Sequence, residues 1–202
     1  MNLLAGRPAR LVGGALSLLL SAPALAQGKS TSEAPARIQF AGNLALGHQF
    51  NGLADVTYAD GSTETLGDAV LGLNAGATFP LTRDGQYEVQ ALFGFLFSKL
   101  NASNGTLSFL EFPLEVTAHV NLWRFLRIGA GPTLHISPMI RGDGIAGSSD
   151  VNFGTTVGAV VRVEARLNRT FGFGLDYNWL KLSANGQSMD ASRIGGVLSL
   201  YL

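Results

Sequence analysis

The side chains best suited to chemistry are a histidine and a serine in the segment His135-Ile136-Ser137. Residues two apart lie on the same face of a strand, so the imidazole could accept the proton of the hydroxyl. Ser137 would then be a nucleophile and His135 its base, with Glu111 as a conceivable acid to orient the imidazole. The simpler interpretation is a structural histidine satisfied by hydrogen bonds. We predict the structural role and keep His135 and Ser137 as the alternative catalytic pair.

A larger group of charged side chains shares one face of the alternating segments with many glycines. Its members are Glu111, Glu115, His119, Arg127, His135, Arg162, Glu164, Arg166 and Asp176. A buried charge is costly without a partner, so these residues are expected to pair in an interior. Counting outward from tight turns predicts three pairings. They are Arg162 with Asp176, His135 with Glu111, and Arg127 with His119 or Asn121. We predict a structural polar network, with a narrow ion path as the alternative.

The sequence predicts no metal, cofactor or nucleic-acid site. His48, His119 and His135 fall at different heights or on different faces, and the acidic loop residues lack the spacing of a calcium loop. The glycines alternate with strand residues and no helix follows them, which excludes a phosphate-binding loop. The formal net charge is zero, so the chain lacks the basic footprint of a nucleic-acid-binding protein.

These side chains are carried by segments in which every second residue is apolar. In FLEFPLEVTAHVNLW, residues 109–123, this period indicates a β-strand. Eight such strands are predicted near 37–50, 66–79, 86–98, 107–122, 125–137, 152–166, 171–182 and 193–202. Their connections alternate between tight turns and longer polar loops, as in an antiparallel up-and-down meander. The predicted loops are 51–65, 99–105, 138–150 and 183–192.

The two faces of the strands differ in bulk, and this difference predicts which face points outward. An eight-stranded barrel has an interior just wide enough for side chains to fill. The bulky apolar face would overfill that space, whereas the face with glycines and charges fits it. An outward apolar face is stable only in lipid, where the sheet must close so that no backbone group is unpaired. The predicted fold class is therefore all-β, an eight-stranded antiparallel up-and-down transmembrane β-barrel.

Aromatic residues are predicted to form two girdles at the ends of the strands, as in membrane-spanning barrels. Near the tight turns lie Phe79, Tyr87, Trp123, Phe125, Phe171 and Tyr201, of which Tyr201 has the inward phase. Toward the long loops lie Phe50, Phe97, Phe109, Phe153, Tyr177 and Trp179. Proline is disfavoured inside a central strand, so local bulges are expected at Pro113 and Pro132.

The N-terminal residues indicate a secretory signal. Arg7 and Arg10 precede the apolar run 11–20, and Ala24-Leu25-Ala26 follows as a small-x-small cleavage site. The run is too short for a membrane-spanning helix, which needs roughly twenty residues. We predict a cleaved signal peptide at 1–26, a flexible lead-in at 27–36 and a barrel domain at 37–202.

Several strands resemble those of the small outer-membrane β-barrel family, which includes porin-like barrel domains. LEFPLEV at 110–116 is similar to a Leu-Glu-Ile-Pro-Leu segment common in that family. LRIGAGPTLHI (126–136), FGTTVGAVVRVEARL (153–167) and FGFGLDYNW (171–179) resemble its following strands. The resemblance implies a Gram-negative outer-membrane protein of the cell envelope, with no shared catalytic residues.

An outer-membrane barrel implies particular partners, and more than one role is compatible with it. The expected partners are outer-membrane lipid and lipopolysaccharide, the barrel-assembly machinery, and an extracellular ligand bound through the four predicted loops. We predict a non-enzymatic protein with a structural or interaction role. The His-x-Ser pair resembles that of outer-membrane lipid A deacylases, so a lipid A-modifying enzyme is one alternative. A small pore and a soluble periplasmic barrel with inverted faces are the others.

Overall fold

The described residues form a closed barrel of eight antiparallel strands. The structure, a computed structural model, describes residues 37–57, 62–102, 105–144, 150–184 and 186–202. The barrel strands are β1 (Gln39–Gln49), β2 (Val70–Pro80), β3 (Tyr87–Ala102), β4 (Gly105–Trp123), β5 (Leu126–Gly144), β6 (Thr156–Arg166), β7 (Phe171–Trp179) and β8 (Arg193–Tyr201). The predicted signal peptide and lead-in, at 1–26 and 27–36, lie outside these ranges. Within them, no helix is long and apolar enough to cross a membrane.

Each barrel strand pairs with its neighbours in the sequence, and β1 pairs with β8 to close the cylinder. The partners of Gln39, traced once around the barrel through the eight registers, lead back to Gln49 on the same strand. The sheet therefore closes with a shear of ten residues, since 49 − 39 = 10. Eight strands with this shear tilt by roughly 40° from the barrel axis, within the usual range for closed barrels.

The two ends of the barrel differ in their connections. At the inner end, which we define by the tight turns, residues 81–86, 124–125 and 167–170 join the strands. At the outer end the polypeptide forms further hairpins, Ala54–Thr57 with Thr63–Leu66 and Lys181–Ala184 with Gln187–Asp190. The predicted loops 99–105 and 138–150 are wrong in extent. The strand β3 ends only at Ala102 and β4 begins at Gly105, while β5 continues to Gly144. A membrane-spanning strand needs about 9–11 residues, so β3, β4 and β5 extend beyond the bilayer.

The outward face carries the bulky apolar residues, as predicted. Exposed examples from three strands are Phe93, Val161 and Phe173. The inner aromatic girdle is present in Phe79, Tyr87, Trp123, Phe125 and Phe171, and the outer one in Phe50, Phe97, Tyr177 and Trp179. Trp123 and Phe125 stack with ring centroids 5.9 Å apart. An exposed apolar belt with aromatic ends is the surface that a bilayer covers.

Three aromatic assignments to the girdles are wrong. Phe109, Phe153 and Tyr201 are buried, at 0%, 8% and 2% exposure. Phe109 and Tyr201 follow the inward phase of β4 and β8, which alternation along each strand already indicates. Phe153 changes face because residues 153–155 leave the strand pattern opposite an irregularity in β5.

That irregularity is a β-bulge at Ser137. The register of β4 and β5 shifts between Leu110 and Phe112, so that two residues of β5, Ser137 and Pro138, oppose Glu111 alone. Ser137 has a φ of 45°, the left-handed conformation typical of the first residue of one bulge class. The predicted bulges at Pro113 and Pro132 are absent from the registers there, where Pro113 pairs with His135 and Pro132 with Ala159.

Candidate functional site

The lumen is filled by buried charges in three clusters, one above another. The inner cluster consists of Glu88, Arg127, Glu164, Arg166 and Tyr201. Arg166 Nη2 lies 2.9 Å from Glu88 Oε2, and Arg127 Nε lies 3.6 Å from the same oxygen. The Tyr201 hydroxyl donates to Glu164 Oε1 at 2.6 Å and accepts from Arg127 Nη1 at 2.6 Å. Arg127 and Arg166 therefore lie between the carboxylates of Glu88 and Glu164.

The central cluster is built around Arg162 of β6. Its Nη2 lies 3.0 Å from Glu115 Oε2 on β4 and 3.2 Å from Asp176 Oδ2 on β7. Asp176 is the register partner of Arg162, as the turn at 167–170 predicts. Glu115 reaches Arg162 past the intervening strand β5. All three side chains are at most 3% exposed, so this guanidinium balances two carboxylates that water barely reaches.

The outer cluster joins Glu111, His135 and Arg193. Glu111 Oε1 lies 2.9 Å from Arg193 Nη1 and 3.2 Å from His135 Nδ1. The other ring nitrogen of His135 lies 2.8 Å from Thr133 Oγ1. The predicted contact of His135 with Glu111 is confirmed. Arg193 reaches Glu111 from β8, across the lumen.

The remaining histidine of the predicted network, His119, is buried beside the clusters. Its Nε2 lies 2.7 Å from the hydroxyl of Thr117. Of the two predicted partners of Arg127, Asn121 is the register partner. Glu88, Arg193 and Tyr201 were not included in the predicted network, although their inward phase was the signal that could have found them.

Glycines supply the space that these side chains occupy. A Cβ on Gly129 would overlap the ring of His119, and one on Gly172 would lie 2.8 Å from Glu164 Oε1. The interior of an eight-stranded barrel is just wide enough for side chains to fill, so a long polar side chain that lies over the adjacent strand needs a small residue there. The alternation of glycine with charge on the inward face is therefore a packing requirement of this lumen.

An apolar plug lies at the outer end of the lumen, beside and above the outer cluster. We define it by ten buried residues: Leu53, Leu66, Val70, Leu96, Phe109, Ile140, Phe153, Leu180, Leu182 and Ala191. They come from the barrel strands and from the outer hairpins. Phe109 and Leu182 are fully buried. Within the described residues, the polar clusters thus lie at the level of the bilayer, and the apolar plug begins beside the outermost cluster and continues beyond it.

The sequence matches no protein-family model and no curated protein. Among solved structures, the chain is similar to Ail, the attachment invasion locus protein of Yersinia pestis, in complex with the heparin analogue sucrose octasulfate. The two are 11% identical with a TM-score of 0.52, over 81% of this chain and 95% of Ail. Neisserial surface protein A, NspA, is 13% identical with a TM-score of 0.42, over 82% of this chain and 94% of NspA.

The chain has the fold of an outer-membrane β-barrel. The predicted fold class is confirmed, and the predicted outer-membrane location agrees with this fold and with the exposed apolar belt. The soluble barrel with inverted faces is wrong, because the charged and glycine-rich face is the one that points into the lumen.

The outer-membrane barrel separates the two residues of the alternative catalytic pair. His135 is fully buried, and its ring nitrogens contact Glu111 and Thr133. Ser137 is exposed, because the bulge turns its side chain away from the inward phase that alternation predicts. The hydroxyl and the imidazole therefore lack the hydrogen bond that activates a serine nucleophile.

The charges of the barrel interior are close to balance. Within the described residues, five carboxylates of the three clusters, Glu88, Glu111, Glu115, Glu164 and Asp176, face four arginines, Arg127, Arg162, Arg166 and Arg193. No group of three potential metal ligands occurs in the described ranges. Charges fixed by mutual contact and covered by an apolar plug can brace a barrel.

Proposed function

We propose that this protein is a non-enzymatic outer-membrane barrel with a sealed lumen, whose outer hairpins bind an extracellular ligand. The observation that carries the proposal is the apolar plug over three paired clusters. A pore needs a continuous hydrated path, and a hydrolase needs an activated nucleophile. The contacts of Arg162 and Arg193 support a bracing role for the lumen, and the separation of His135 from Ser137 supports the absence of hydrolysis.

The proposal includes the route to the membrane. The chain would be exported by its N-terminal signal, with cleavage after Ala26, and inserted by the barrel-assembly machinery. Lipid and lipopolysaccharide would cover the apolar belt. The strands β3, β4 and β5 are long enough to extend beyond the bilayer at the same end as the outer hairpins.

The sealed lumen predicts the absence of ion conduction. In planar bilayers, the purified and folded protein is expected to give no discrete conductance steps, while an open porin in the same bilayers gives regular ones. Steps of uniform size that change when Arg193 is replaced by glutamine would show ions passing the outer cluster. That result would contradict the sealed lumen and favour the small pore.

The outer hairpins are acidic, and this limits the class of ligand. The segments at the outer end contain seven acidic residues against three basic ones. The acidic residues are Asp55, Asp60, Glu64, Asp68, Asp143, Asp150 and Asp190, and the basic ones are Lys99, Arg141 and Lys181. A surface of this sign attracts cations and repels polyanions. The ligand would therefore be basic or uncharged, unlike the sulfated analogue bound to Ail.

This charge predicts weak binding of sulfated polyanions. Intact cells that express the chain present only its outer end, whereas a purified barrel also presents the exposed arginines of its inner turns. At about 0.1 M salt, where charges interact over roughly 10 Å, such cells are expected to bind no more of a labelled heparin-type polymer than cells without the chain. Cells that express Ail are the positive control, and a variant with lysine at Asp55, Asp143 and Asp150 is expected to bind the polymer. Binding to the unchanged protein at a salt concentration similar to that needed for Ail would contradict the proposed ligand class.

A further inference from the structure

The inner end of the barrel carries an exposed cation in each of its tight turns. Arg83 lies in the turn between β2 and β3, Arg124 between β4 and β5, and Arg169 between β6 and β7. We call these three residues the arginine ring. All three side chains are exposed, and within the described residues no carboxylate pairs with them. Arg37, just before β1, adds a fourth exposed arginine at the same end.

The single acidic residue in these three turns is engaged locally. Asp84 Oδ1 accepts a hydrogen bond from the backbone nitrogen of Gln86 at 3.1 Å. The Thr82 hydroxyl and that backbone group hold the pKa of Asp84 below its ordinary value, because both stabilise the carboxylate. The inner end is therefore basic, in contrast to the acidic outer end.

The arginine ring lies next to the inner aromatic girdle. Trp123 and Phe125 flank Arg124, Phe79 and Tyr87 flank the turn that carries Arg83, and Phe171 follows Arg169 closely in sequence. Aromatic girdles mark the boundary between hydrocarbon and headgroups. Guanidinium groups immediately beyond such a girdle are at the depth of lipid phosphates, which they bind in a bidentate manner.

We infer that the arginine ring is a docking surface for the phosphate groups of anionic phospholipids in the leaflet on the turn side. The inference rests on the proposed outer-membrane function and gives it a preferred lipid and a preferred leaflet. Three spaced guanidinium groups contact several headgroups around the barrel, and each attracts anionic lipid through a field that salt screens.

The two tryptophans of the chain allow a direct test. Trp123 lies at the inner end and Trp179 at the outer end, so Trp179→Phe and Trp123→Phe each leave one reporter. The full barrel domain is folded into phosphatidylcholine vesicles that contain a fixed fraction of brominated phosphatidylglycerol or of brominated phosphatidylcholine. Both leaflets have the same composition, so each tryptophan reports the lipid at its own end whatever the orientation.

Trp123 is expected to be quenched about threefold more by the brominated anionic lipid than by the brominated zwitterionic one. Trp179 is expected to show no such preference, because the outer end is acidic. Replacing Arg83, Arg124 and Arg169 by glutamine should remove most of the preference at Trp123, because only Arg37 remains at that end, and replacing them by lysine should retain more of it. The matched control replaces Lys99, Arg141 and Lys181 by glutamine, which removes the same charge from the outer end and should leave the preference unchanged.

The folded state is checked first by the difference in mobility between unboiled and boiled samples. Failure of the unchanged protein to fold into vesicles would overturn the proposed function and this inference with it. A folded protein whose Trp123 is quenched equally by the two lipids would overturn the inference alone. So would a preference that is undiminished in the folded glutamine variant, or one that persists in 1 M salt, where charges are screened within about 3 Å.

Discussion

Replacing Arg162 by methionine is expected to lower the free energy of unfolding by about 3–5 kcal/mol, the cost of removing one partner from a buried ion pair. Glu115 and Asp176 would then face each other in the lumen without the cation that lies 3.0 and 3.2 Å from them. The measurement is a urea titration of the barrel in lipid vesicles, followed by tryptophan fluorescence.

The control for this substitution is Arg141→Met, which removes the same side chain from an exposed position at the outer end of β5. Its effect should stay within about 0.5 kcal/mol, as for most surface substitutions. The triple variant Arg162→Met, Glu115→Gln, Asp176→Asn should recover much of the lost stability, because no charge is left unpaired. If the free energy of unfolding of Arg162→Met lies within about 1 kcal/mol of that of the unchanged protein, the central cluster does not stabilise the barrel.

The second large effect is expected at Val161, which precedes Arg162 in β6 and faces outward instead of into the lumen. Val161 is 48% exposed on the outward face at the middle of β6, between Ala130 and Tyr177 on the adjacent strands. Val161→Arg would place a charge near the bilayer midplane. The expected cost is about 2–4 kcal/mol, measured by the same titration in vesicles.

Depth distinguishes this effect from a general disturbance of the strand. Leu167 is exposed in the turn that follows the inner end of β6. Leu167→Arg should therefore lower the free energy of unfolding by only about 0–1 kcal/mol. Equal costs at Val161 and Leu167, or no cost at Val161, would mean that the apolar belt is not covered by lipid.

Much of the barrel can be predicted from the sequence because its tight turns fix the registers. A turn of two to six residues leaves little freedom in pairing, so counting from Asn168–Arg169 correctly pairs Arg162 with Asp176. Alternation then assigns faces along a whole strand, because a strand has a strict period of two. The strand count, the outward apolar belt and most of both girdles follow from these two rules.

The rest depends on features that alternation does not record. The bulge at Ser137 inserts one residue, which reverses the face of every residue beyond it on β5. Contacts across the lumen, such as Glu111 with Arg193 and Glu115 with Arg162, join strands that are not neighbours, so counting from turns cannot find them. The apolar plug combines barrel strands with hairpins whose polar composition resembles that of ordinary loops.

A closed barrel in the outer membrane is expected to be heat-modifiable on a denaturing gel. Outer membranes are isolated from cells that express the full chain, and the protein is run on a denaturing gel with and without boiling. The protein is expected in the outer-membrane fraction. Its unboiled band is expected to migrate faster than the boiled one, because the paired strands of the barrel resist detergent. A single unshifted band, with the protein recovered in the soluble periplasmic fraction, would contradict the closed outer-membrane barrel.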